Sequence, residues 1–156
     1  MDFNYIVKRE MQLEQVLPLI EEKLRSGDNV RFSPRGVSML PLLRQGKDAV
    51  VLSPAPKKLK RFDIPLYVRR DGKFTLHRIV KVGNTYTCIG DNQYRYEFGI
   101  SHDQVIGVVS AIYRGNKRIE VDSIIMRFYA YVWCYSRPIR YRLIRFKARI
   151  CTLFKH

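Results

Sequence analysis

The chain is 156 residues long and carries 29 Lys+Arg against 14 Asp+Glu, a formal charge of +15, with 46% hydrophobic and 28% charged residues. This describes one globular domain with room for a core and excludes a disordered tail or a collagen-like repeat. No stretch approaches the ~20 apolar residues of a membrane-spanning helix, and Met1 to Glu14 alternates charged with apolar residues, so neither a cleaved export signal nor a transmembrane anchor is expected.

In chain order, Leu13, Val16, Leu17, Ile20 and Leu24 recur at helical spacing between Gln12 and Arg25, and Ser26-Gly27-Asp28 supplies a stop. Pro18 falls inside the pattern, so the helix should begin or bend there. From Asn29 to Val121 the chain reads as β-rich, with short β-branched or aromatic runs at Val30 to Ser33, Ala49 to Leu52, Ile64 to Arg70, Phe74 to Val82, Thr85 to Ile89, Val105 to Tyr113 and Arg118 to Val121. Turn signals separate them at Arg70-Asp71-Gly72, Gly83-Asn84 and Arg114-Gly115-Asn116, the middle one expected to give the tightest hairpin. This pattern predicts a mainly β fold, a small antiparallel barrel or folded β-ribbon. Ile124 to Tyr135 then reads as a short apolar helix that Pro138 ends or kinks, followed by Ile139, Leu143, Phe146, Ile150 and Leu153 beside a stripe of Arg142, Arg145 and Arg149. The expected organisation is a covering helix over 1–28, a β domain over 29–121 and a basic amphipathic helical tail over 122–156.

Charge is uneven along the chain. From Ser123 onward there are eight basic residues, Arg127, Arg137, Arg140, Arg142, Arg145, Lys147, Arg149 and Lys155, and no acid. The aromatic and aliphatic residues among them separate this tail from arms of Lys and Arg alone that coat nucleic acid. Three readings stand: the tail lies on a membrane surface with its cations near anionic headgroups, it docks on its own domain or a partner, or, least favoured, it binds nucleic acid. The three cysteines, Cys88, Cys134 and Cys151, lack the spacing of a zinc site or a redox pair, so a reducing cytoplasm is the default and neither metal nor cofactor is implied. His102 and His156 have no partner at ligand spacing.

One serine stands out, in Gly36-Val37-Ser38-Met39-Leu40-Pro41. Glycine permits a tight turn before the serine and proline stiffens the chain after it, a way to hold a hydroxyl exposed beside backbone amides. On local sequence alone, Ser38 reads more readily as a helix N-cap than as a nucleophile. His77 lies inside the strand-like run Thr75-Leu76-His77-Arg78-Ile79-Val80, and Asp91 comes later, in Ile89-Gly90-Asp91-Asn92. Ser, His and Asp are the types needed for a nucleophile, its base and an orienting anion. Asp91 also suits a plain turn, and Asp103 is the other candidate for the third position.

The order and wording of these segments resemble the type I signal peptidases, which share a clan with the self-cleaving repressor peptidases. The matching boxes are Ser38-Met39-Leu40-Pro41, Gly46-Lys47-Asp48-Ala49-Val50-Val51, Phe62-Asp63-Ile64, His77-Arg78-Ile79-Val80, Gly90-Asp91-Asn92 and Val105-Ile106-Gly107-Val108, spanning about Val30 to Val121. The residue before the Arg-Ile pair is His77, as in the Ser/His branch typified by the endoplasmic-reticulum enzyme. The resemblance implies the signal-peptidase type of β fold, Ser38 as nucleophile, His77 as base and Asp91 as orienting carboxylate. It implies a serine endopeptidase that cleaves a signal or leader peptide after small residues.

No N-terminal membrane anchor of the family's kind is expected, so the basic tail is expected to supply attachment from the cytoplasmic side, with a peptide or preprotein as substrate. Two alternatives are a non-catalytic module of the same fold binding membrane or nucleic acid, and a self-cleaving regulator. The repressor peptidases use a lysine base; Lys73 and Lys81 are near the right distance from Ser38, but neither fills the matching slot. Oligomeric state is left open.

Overall fold

The computed structural model describes residues 5–6 and 13–153, with side chains described for 17–144 and 146. The order of elements is β1 (Tyr5–Ile6), α1 (Leu13–Arg25), β2 (Val30–Phe32), β3 (Asp48–Ser53), β4 (Pro65–Val68), β5 (Phe74–Leu76), β6 (Arg78–Val82), β7 (Tyr86–Ile89), β8 (Glu97–Ile100), β9 (Val105–Arg114), β10 (Lys117–Glu120), α2 (Ile124–Tyr135) and α3 (Arg137–Leu153). The fold is mainly β, as expected, and is built as two open sheets; no closed barrel forms among the described residues.

Strand β9 organises the larger sheet, ordered β1-β2-β3-β9-β4-β5 with β10 also on β9. Its ten residues outrun any one partner. Residues 108–114 pair with β3, while the opposite edge takes β4 at residues 105–108 and β10 at 111–114. All these pairings are antiparallel; β1 alone runs parallel to its neighbour β2. Pro65, which cannot donate to a ladder, is the first residue of β4, where a missing N–H is tolerated. The smaller sheet is β6-β7-β8.

Two buried clusters hold these layers. Ile20 and Leu24 of α1 pack with Val50, Leu52, Leu66, Val109 and Ile112 of the larger sheet, so α1 is the covering helix. It runs through Pro18 instead of beginning there. Leu59, Tyr67, Ile79, Tyr86, Cys88 and Ile100 form the second cluster, beneath the smaller sheet.

Three expectations change. The run Phe74 to Val82 is two strands, because the chain breaks at His77 and passes from one sheet to the other. The tightest hairpin is Gly115-Asn116, joining the paired residues Arg114 and Lys117, whereas Val82 pairs with Tyr86 across a longer loop. Strand β8 arises where no strand was expected, its Glu97 paired opposite Cys88. Helix α2 has its predicted bounds, with Ser123 accepting a hydrogen bond from the Met126 N–H as N-cap. Pro138 stands in the first turn of α3, where its missing N–H is harmless.

Gly107 shows why α1 can sit so close. A Cβ there would lie 2.9 Å from Ser53 O, 2.9 Å from Leu52 Cγ and 3.0 Å from Leu24 Cδ1. Gly107→Ala should therefore cost about 1–3 kcal/mol by overpacking. Urea denaturation measures this, and an unchanged midpoint would show that the helix is less tightly seated.

Candidate active site

The loop of residues 33–47 carries Ser38 between β2 and β3. Its hydrophobic residues Met39, Leu42 and Leu43 plunge into the larger core, which forces the chain between Gly36 and Leu43 into successive turns. Gly36 takes a positive φ of 99°, a conformation only glycine adopts at little cost, and its N–H donates to Gln45 Oε1 at 2.8 Å. Buried Asp48 closes the far end. It accepts from the Arg44 main-chain N–H at 2.9 Å and from the Arg44 guanidinium at 3.0 and 2.8 Å, with Arg114 Nε at 3.7 Å. The hydrogen bonds from Arg44 hold the Asp48 carboxyl below its usual range, against the effect of burial. Arg114 also donates to Leu42 O at 3.0 Å. Ser38 is thus half-buried on a turn pinned at both sides, and it caps no helix.

His77 sits at the corner between β5 and β6 and is only 2% exposed. Its Nδ1 lies 2.9 Å from Glu97 Oε1, and the Tyr67 hydroxyl is 3.5 Å away. Glu97 is held in turn by Tyr67 Oη donating at 2.8 Å, by Arg69 Nε donating at 2.8 Å, and by a second Arg69 contact to Oε1. Burial alone would raise the Glu97 carboxyl, but the hydrogen bonds from Arg69 and Tyr67 and the nearby His77 keep it low and ionised. For His77 burial wins: it pushes the imidazole below its ordinary 6.5, although Glu97 pulls the other way. The ring is therefore neutral at neutral pH. Cys88, opposite Glu97, is pushed up to about 12 by burial and by that carboxylate, so it is a protonated thiol, unsuited to attack.

Asp91 does not take the place expected of it on the imidazole. It is fully buried and its two oxygens accept from Arg78 Nε and NH2, both at 2.8 Å. Tyr129 Oη adds a longer bond at 3.4 Å, and Trp133 Nε1 donates to the Asp91 carbonyl at 2.9 Å. The carboxylate against His77 Nδ1 is Glu97, which reasoning from sequence does not single out. Its one visible signal is an acid between two aromatic residues, in the run Tyr94-Arg95-Tyr96-Glu97-Phe98. Asp103 is exposed, in a short 3-10 turn at His102–Gln104, with its side chain engaged by Ser101.

The Gly90-Asp91-Asn92 turn joins the Ser38 loop to His77. Asn92 donates its main-chain N–H to Ser38 O at 2.8 Å and its amide to Val37 O at 3.2 Å. A Cβ at Gly90 would lie 2.6 Å from Ser38 O and 3.1 Å from His77 Nε2, so serine loop and imidazole share one small space that only glycine leaves open. Ser38, His77, Gln93 and the three residues of β5 line one cavity of about 210 Å³. Ser38 Oγ makes no hydrogen bond to His77 among the described residues; such contacts commonly tighten only with substrate bound. A larger groove of about 780 Å³ continues from it past the shared Arg69 and Gln93, along Arg70, Arg95 and β8.

Among known proteins the chain matches no family model, no curated relative and no solved structure. Asp91→Ala should cost about 3–5 kcal/mol, because it strands the Arg78 guanidinium, which is only 1% exposed. A denaturation midpoint near that of the wild type would contradict the assignment of Asp91 to the scaffold.

Proposed function

We propose that the protein is a serine endopeptidase of the signal-peptidase type, with Ser38 as nucleophile, His77 as base and Glu97 as the orienting carboxylate. One observation carries this: a buried neutral imidazole has Nδ1 against an ionised carboxylate while its Nε2 adjoins the serine loop in a shared cavity. The carboxylate selects the Nδ1–H tautomer, which leaves the Nε2 lone pair free to accept the Ser38 proton. As Ser38 Oγ attacks a peptide carbonyl, Nε2 takes that proton and then delivers it to the leaving amine. Water hydrolyses the resulting acyl-enzyme by the same route in reverse. Glu97 stabilises the transient imidazolium, and Arg69 and Tyr67 keep Glu97 ionised throughout. The carboxamide of Gln93 lines the same cavity and can donate to the developing oxyanion.

The substrate is an extended peptide. β5 is the last strand of its sheet, so no strand among the described residues pairs with its outer edge, and all three of its residues line the cavity beside Ser38. A peptide added as a further strand there would run past the serine. Small residues before the scissile bond are what the family resemblance implies. We assign its place of action to the cytoplasmic face of a membrane, through the basic C-terminal helices, with a signal or leader segment as the natural substrate. The lysine-based self-cleavage reading has less support: Lys73 and Lys81 are exposed and neither lines the cavity.

Ser38→Ala and His77→Ala should each reduce cleavage of a peptide with small residues before the scissile bond by roughly 10⁴-fold without unfolding the protein. Cleavage that survives both changes would refute the assignment. In the wild type, kcat/KM should rise with pH through one deprotonation whose midpoint lies below the 6.5 of an ordinary histidine, since burial disfavours imidazolium. Glu97→Gln removes the charge that raises the His77 pKa, so it should move this limb to lower pH while cutting kcat by roughly 10²–10⁴. A limb that stays in place would mean that Glu97 does not act on His77.

A further inference from the structure

The two C-terminal helices leave uncovered a face that the catalytic reading does not use. Ser136, between them, has helical dihedrals (φ −74°, ψ −7°); its N–H donates to Val132 O at 2.9 Å and its carbonyl accepts from Arg140 N–H at 3.0 Å. Ser136 alone, the C-cap of α2, separates the two helices, and exposed apolar residues occur along both. Phe128, Val132, Tyr135, Ile139, Leu143 and Phe146 recur at intervals of three and four, and all are exposed. At the start of α2, Ile124 and Ile125 are 87% and 80% exposed; in α3, Phe146 is 63% exposed. At 1.5 Å per residue α2 is about 18 Å long and α3 about 25 Å, so the exposed apolar residues are spread over several turns of each. The opposite side of the same helices is the one that packs: Met126, Ala130 and Arg137 are buried there, and Trp133 is half-buried.

So broad an exposed apolar surface is uncommon and marks a docking face. Its surroundings are cationic: Arg127 and Arg142 flank it, both exposed, and there is no acid anywhere from Ser123 to the end. That charge disfavours a second copy of a +15 chain and favours an anionic occupant. A phosphate-rich polymer would answer the arginines but not the isoleucines and phenylalanines, whereas the headgroup and acyl boundary of a lipid layer answers both. No helix among the described residues is long and apolar enough to cross a bilayer, so the contact is one of lying on the surface.

We propose that the Ile124–Phe146 face of α2 and α3 docks in the plane of an anionic lipid bilayer. This names the lipid chemistry and the face behind the membrane placement given above; it rests on that placement and not on the peptidase chemistry. Docking would also fix where the cleft sits, because the buried side of the same helices grips the catalytic turn: Trp133 holds the Asp91 carbonyl at 2.9 Å and Arg137 reaches Gly90 O at 3.4 Å.

The test is flotation of the full chain with vesicles of phosphatidylglycerol and phosphatidylcholine in equal parts, against vesicles of phosphatidylcholine alone. The expected result is binding at least tenfold tighter to the anionic vesicles and weakening with salt. Ile125→Asp with Phe128→Asp should abolish it while the urea midpoint stays that of the wild type, these side chains being exposed. Leu143→Asp, on the other helix, is a second variant expected to weaken binding, in case the first pair perturbs α2. Failure to float with anionic vesicles, equal binding by the folded variants, or a dimer that the same substitutions dissociate would each overturn the proposal. Because flotation needs no turnover, a chain that binds lipid but cleaves nothing would refute the peptidase reading alone.

Discussion

The buried ion pair between Arg78 and Asp91 is the constraint on which the arrangement of the site depends. Each residue is joined in the chain to a member of the site or its holder. Arg78 follows His77, and Asp91 precedes Asn92, whose N–H and side-chain amide hold the serine loop at Ser38 O and Val37 O. One bidentate pair therefore fixes His77 relative to the Ser38 loop. Removing two charges from water is costly, and a pair so deeply buried is seldom a net source of stability. Its value is geometric. The two side chains meet in a bidentate geometry, with Tyr129 and the Phe62 carbonyl taking up remaining hydrogen-bonding capacity. Phe62 accepts a positive φ of 79°, unusual for a residue with a Cβ, while its carbonyl faces Arg78.

The imidazole environment is set by the corner at which it stands. His77 belongs to neither sheet, so its ring is free to turn between them toward β8, where Glu97 arrives from the smaller sheet. Four side chains then divide the work. Arg69 and Tyr67 satisfy the carboxylate, the carboxylate satisfies Nδ1, and burial keeps the ring neutral. Ionising a carboxyl while leaving a neighbouring histidine uncharged normally calls for opposite environments. Here a guanidinium stands on the carboxylate, while burial withholds water from the imidazole. Glu97 is expected to act through His77 without touching the substrate, as a positioning residue.

Much of this arrangement is legible in the sequence, and the exceptions have physical causes. Ser38 and His77 can be singled out because each stands in a short segment whose residue types suit one task. The bounds of α2 are readable because Ser123 caps it and its apolar residues recur regularly. Residue type suggests a catalytic part for Asp91, but type cannot tell an anion that orients an imidazole from one that neutralises the adjacent arginine. Glu97 escapes notice because its importance arises from β8 pairing beside β7, a non-local contact that the aromatic run around it does not encode. The alternation of β8 is weak, with Phe98 exposed and Glu97 turned inward. The break at His77 is hidden by the continuous strand-like run on both sides of it. A corner between sheets is a tertiary event, and β propensity does not encode it.

The claim that matters most is that Ser38 is a nucleophile activated by a neutral His77. A fluorophosphonate, which reacts with activated serine hydroxyls and needs no knowledge of the substrate, tests it directly when read by intact mass and peptide mapping at neutral pH. The expected result is a single covalent adduct on Ser38, lost in Ser38→Ala and strongly reduced in His77→Ala. No adduct on the folded protein, or an adduct that forms equally without His77, would contradict it.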